Sequence, residues 1–170
     1  MPEPWSGQLA RAPILFVSSN PSISRSEDYP TWRWSDVEIA DFFDNRFGGG
    51  RKRWVTDGAR SLRADGTRSG SVAFWAGVRN RAGELLGRPA VPGEDYALVE
   101  VVRCKSTNER GVAEARRTCS ELYLARTLEA SGATVIVTLG EKARPTVNTM
   151  FGGPPRSGIF GPKLNCTPPC

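Results

Sequence analysis

The apolar residues of this chain fall into short continuous runs separated by longer amphipathic stretches. Runs at residues 13 to 19 ("PILFVSS"), 96 to 103 ("YALVEVVR") and 133 to 139 ("ATVIVTL") read as strands buried on both faces, the pattern of a parallel sheet. Residues 35 to 47 ("SDVEIADFFDNRF") read as a helix: Ser35 is a good N-cap and Glu38 follows three residues on, as in a capping box. Residues 72 to 87 read as an amphipathic helix closed by Gly87, and residues 112 to 131 as a longer one. A further helix begins near Glu141. Strands alternating with helices predict an α/β fold, three layers deep, with a central parallel sheet and right-handed crossovers. One domain is expected over residues 1–170, its core at 12–150 and an irregular Gly/Pro-rich tail at 151–170.

In such sheets a ligand sits beyond the carboxyl ends of the strands. Three segments lie there: "SSNPS" (18–22), "CKSTNE" (104–109) and "LGEKAR" (139–144). They are expected to converge on one site. Pro21 biases Asn20 away from the helical region. Two readings of Asn20 stay open: an Asx-turn serving only its own backbone, or an amide that holds a water or a ligand. Downstream, Tyr29, Trp32 and Trp34 flank Arg33, an arrangement that suits either base stacking or a loop folded onto the core. Residues 48 to 71 are rich in Gly, Arg and Ser and read as a basic loop with a short hairpin around Trp54. Arg51, Lys52 and Arg53 there suit phosphate contact or a solvated charge run.

Composition narrows the chemistry. The 170 residues carry a formal charge of +5, which leans towards a polyanionic partner. No apolar run approaches the roughly 20 residues of a membrane span. No secretory signal is visible, so a cytoplasmic location is expected and the four cysteines are expected as free thiols. Histidine is absent, which excludes a Ser-His-Asp triad, a Cys-His dyad and any His-ligated zinc. Acid–base work falls to carboxylates, water or amides. An α/β small-molecule enzyme with Glu100 as general base is one reading of these residues.

The ordered stretches "EVVRC" (100–104), "TCSELYL" (118–124) and "VIVTLG" (135–140), with "FVSSNPSI" (16–23) before them, resemble the uracil-DNA glycosylase superfamily. The first three are similar to its iron–sulfur (family 4) branch; the last looks like the first catalytic motif of its mismatch-directed branches. The resemblance covers roughly residues 13 to 144. It implies a DNA partner and hydrolysis of the N-glycosidic bond of a deaminated or mismatched base, uracil or a related one. It also implies a role for Asn20 in positioning the attacking water and for Trp32, or Tyr29, in stacking the flipped base. Ser19 and Glu100 would contact that base. Arg51, Lys52, Arg53, Lys105, Lys142 and Arg144 would hold DNA phosphates.

The chain departs from that pattern in three ways. Glu100 stands where the family reads uracil with an asparagine. The later His-containing motif has no counterpart, so the last strand of the fold is expected to be missing. The residues before the first strand hold no cysteine, so Cys104 and Cys119 match only two of four cluster ligands. The expectation is therefore a monomer without resident cofactor or metal, with an iron–sulfur cluster on Cys104 and Cys119 as the alternative. The rival to an enzyme is a non-catalytic nucleic-acid-binding relative.

Overall fold

The computed structural model describes residues 1–22, 24, 26–48 and 54–152. Arg51, Lys52 and Arg53, and the tail beyond 152 with Cys166 and Cys170, lie outside the described residues. In chain order the elements are β1 (Ile14–Ser18), α1 (Asp36–Asn45), a hairpin of β2 (Val55–Thr56) and β3 (Arg60–Ser61), α2 (Ala73–Leu86), β4 (Tyr96–Glu100), α3 (Val112–Cys119), α4 (Ala125–Ala130), β5 (Val135–Thr138) and α5 (Gly140–Met150).

Among the described residues the main sheet is parallel and three-stranded, in the order β4-β1-β5. Every residue of β1 and β4 is buried, as their unbroken apolar runs require. Alternate residues split between two cores. Leu15, Val17, Ala97 and Val99 meet Val112, Cys119, Leu124, Ala143 and Val147 on one side. Ile14, Phe16, Tyr96 and Leu98 meet Phe47, Val55, Val78 and Ala82 on the other. The sheet is thus flanked by helices on both faces: α3, α4 and α5 on one, α2 on the other. A third cluster gathers Phe42, Phe43 and Trp54 beside Tyr29 and Trp34.

Local signals explain the boundaries. Ser35 caps α1 and Glu38 returns the bond to the Ser35 N–H at 2.8 Å, completing the capping box. Gly87 closes α2 at φ 66°, a left-handed conformation that costs glycine least. The helical run from 112 to 130 is interrupted by a π turn at Ser120–Leu124. There the Ser120 hydroxyl donates to the Arg116 carbonyl at 2.5 Å, competing with the backbone ladder.

One expectation needs correcting. The run at 96 to 103 reads as a central strand, yet β4 ends the parallel ladder; the run at 133 to 139 is a parallel strand as expected but lies at the other edge among the described residues, with Val135 42% exposed rather than buried. The opposite edge is covered. The N-terminal arm pairs Ser6 with Leu98 by two backbone bonds of 2.8 Å, and the Glu3 N–H donates to the Arg103 carbonyl. This arm carries Glu3 to the carboxyl end of the sheet. No helix among the described residues is long and apolar enough to cross a membrane.

Candidate active site

The parallel register places Ser18 beside Glu100 at the carboxyl end of the sheet, on the face that α2 covers. Here a cavity of about 450 Å³ opens, lined by all three strand ends: Ser18, Ser19 and Asn20 after β1, Glu100 of β4, and Leu139 and Gly140 after β5. Its volume lies within the usual range of small-molecule pockets, about 300 to 1,000 Å³. Phe74 and Trp75, in the first turn of α2, supply an aromatic wall, and Ser61 and Ser69 close the hairpin side.

Asn20 does both things its sequence context allows. Its amide nitrogen donates to the Pro21 carbonyl at 3.1 Å, a local turn bond, and to the Ser106 hydroxyl at 2.9 Å. With both donors engaged, the amide cannot flip without losing them. Its oxygen accepts only a long bond of 3.3 Å from the Ser19 hydroxyl, so acceptor capacity remains for a water. The one Ser19 hydroxyl proton has a nearer acceptor in Glu109, at 2.7 Å, and Glu109 pairs with Lys142. The three expected loops are therefore tied together: 18–22 to 104–109 through Ser106 and Glu109, and 104–109 to 139–144 through Lys142. Asn108 and Glu109 both adopt left-handed backbone (φ 51° and 55°), unusual for non-glycine residues. That conformation presents Glu109 to its two partners.

Three carboxylates line the cavity, and their surroundings differ. Glu3 and Glu27 share Arg46, which is 1% exposed at the end of α1. Lys105 lies 3.6 and 3.7 Å from the same two carboxylates. Burial alone would weaken Arg46's hold on its proton; Glu3 and Glu27 more than reverse this and keep it charged. The guanidinium also lies 5.0 Å from the Trp75 ring centroid and 5.4 Å from that of Phe42. Glu100 has no such support. It is 4% exposed, forms no ion pair among the described residues, and accepts a hydrogen bond from Ser18. Burial pushes its carboxyl up to about 8, against the lowering effect of the Ser18 hydroxyl; Glu3 raises it further and Arg46 lowers it. At neutral pH it is mostly the neutral acid.

Comparisons with protein-family models, curated proteins and solved structures return no match to the chain. Its chemistry rests on its own geometry.

The cavity brings together Ser19, Asn20 and Glu100. Trp32 is 81% exposed and does not line it. Tyr29 lies outside as well, packed edge-on against Phe42 at 5.2 Å with the Lys105 ammonium 3.4 Å from its ring centroid. Burial, with Glu3 adding to it, holds the Tyr29 phenol far above its ordinary value. Lys105 is half-buried against Glu3 and Glu27, and burial lowers its proton affinity. Lys142 is engaged with Glu109, whereas Arg144 is exposed. Cys104 is exposed and Cys119 buried; among the described residues no three His, Cys, Asp or Glu side chains cluster so as to hold a metal.

Sequence reasoning placed Ser18 in a strand-end segment without giving it a role, and missed Phe74, Trp75 and the Glu3–Arg46–Glu27 cluster. Two consecutive aromatics at 74 and 75 were a usable signal, since one helical turn cannot bury both against a single sheet face. The ion cluster had none: its partners lie 43 and 19 positions apart.

Proposed function

We infer that this protein is a DNA glycosylase-like hydrolase acting on a deaminated or mismatched base. The observation that carries this reading is the shared cavity, in which Asn20, Glu100 and an aromatic wall meet at the strand ends. A base rotated out of the duplex needs an aromatic face to stack on and polar groups at its edge. Trp75 and Phe74 offer the face. Ser18, Ser19 and Glu100 offer the edge contacts. Asn20 keeps its amide oxygen for the water that attacks the sugar. The sheet with helices on both faces and the order of the three strand-end segments fit the resemblance to the uracil-DNA glycosylase superfamily. DNA is the partner this reading requires, and the positive charge of the chain favours it.

A second reading, non-catalytic nucleic-acid binding, is favoured by one observation: the chain has no histidine to stabilise a departing base. The two separate in one experiment. Single- and double-stranded oligonucleotides carrying uracil, hypoxanthine or xanthine are incubated with wild type and with Asn20→Ala. Free base released by wild type and not by Asn20→Ala supports the hydrolase. Retention of labelled oligonucleotide at low salt without release supports the binding module. Neither binding nor release removes both.

A further inference from the structure

Glu100 is a buried carboxyl that pairs with no cation among the described residues. The charged groups near it come from several elements: Glu3 on the N-terminal arm, Glu27 on the loop after β1, Arg46 at the end of α1, and Lys105 beyond β4. The two cations are committed to Glu3 and Glu27. The elements α2 and α5 add only Phe74, Trp75 and Gly140 to the cavity wall, and no charge. One oxygen of Glu100, Oε2, accepts from Ser18. The other, Oε1, has no hydrogen-bond partner among the described residues, although Glu100 lines the cavity. A neutral carboxyl so placed can give its proton to a ligand, and Ser18 stands ready to hold the carboxylate that results.

We propose that Glu100 is the general acid of this cavity, giving its proton to the departing base as the glycosidic bond breaks. The proposal rests on the base-excision reading above and supplies the function that the missing histidine leaves open. In the step, a water held by Asn20 adds its oxygen to the anomeric carbon. The carbon–nitrogen bond breaks and its electron pair passes to the base. The Glu100 proton goes to that base, and Ser18 hydrogen-bonds the new carboxylate. The attacking water loses a proton to solvent, and solvent reprotonates Glu100. The products are the neutral base and a sugar hydroxyl. Protonation matters most for a base that leaves poorly as an anion.

The test is single-turnover base release from two duplexes, one carrying uracil and one 5-fluorouracil, between pH 6 and pH 9.5. The two bases have nearly the same shape, but fluorine makes the second the better leaving anion. For wild type on uracil, the rate is expected to fall about tenfold per pH unit above about 8, the value to which burial raises this carboxyl. Glu100→Gln is expected to release uracil about 10²- to 10⁴-fold more slowly, with no pH dependence there. It should lose much less on 5-fluorouracil than on uracil, and its circular dichroism spectrum and melting transition show separately that the variant folds. Equal losses on both bases, or no loss on uracil, overturn the general acid and leave the base-excision reading standing. No release by wild type from either duplex at any pH overturns that reading for uracil-type bases, and the acid with it.

Discussion

Glu100 and Glu27 both line one cavity, yet they carry opposite chemistry because of what stands beside them. Glu27 has the Arg46 guanidinium at 2.6 Å; Glu100 has a hydroxyl. Removing one member of a buried ion cluster leaves an uncompensated charge and typically costs about 3–5 kcal/mol. Arg46→Ala is expected near the lower end of that range, because Lys105 still reaches both carboxylates. Urea unfolding of the variant measures it, and a loss below about 1 kcal/mol would contradict the account. For Glu100 the sign of the pH dependence follows from its raised value. The unfolded carboxyl titrates near 4.5 and the folded one near 8. The stability it contributes is complete below about 4.5 and is lost as the pH rises through about 8. Wild type should therefore lose melting temperature between pH 5 and pH 8.5, and Glu100→Gln should give a flatter profile. With no histidine in the chain, few other side chains titrate in that window. Superimposable profiles would show Glu100 already ionised in the fold.

The elements most readable in advance were those with a physical stop or start signal. Ser35 and Glu38 mark the start of α1, and Ser35→Ala should cost about 1 kcal/mol by thermal or urea unfolding. The unbroken runs of β1 and β4 announced full burial, and burial on both faces announced a parallel sheet. The edge position of β5 was hidden because "VIVT" has the same composition at an edge as at a centre; only pairing partners distinguish the two. The π turn was hidden because it shifts backbone bonds without a residue signature. A Cβ at Gly132 would overlap the Ala10 carbonyl oxygen. Gly132→Ala must move backbone, so a loss of about 1–3 kcal/mol is expected from the resulting overpacking. Unchanged stability would mean that the 132 turn and the Ala10 turn do not pack this closely.

At the scale of the molecule, the parallel order β4-β1-β5 collects three loops distant in sequence: Asn20 and Ser106 are 86 positions apart, and Glu109 and Lys142 are 33 apart. The strand-end rule made Ser19 and Asn20 legible, because topology brings the loop after β1 to that edge, whereas Glu100 was singled out by the resemblance and not by its place after a strand. It could not reveal which aromatic faces them. That depends on how the chain after β1 packs, and there Tyr29 turns to Phe42 and Lys105 while Trp75 reaches the cavity from α2. Trp75→Ala should therefore weaken base release more than Trp32→Ala does, measured side by side on one duplex. The central claim is that this cavity excises a base. Its most direct measurement is free base, quantified by mass spectrometry, from a duplex carrying a single uracil, hypoxanthine or xanthine. The account predicts release by wild type from at least one duplex and none above background from Asn20→Ala. Release undiminished in Asn20→Ala, or no release by wild type from any of the three, would contradict it.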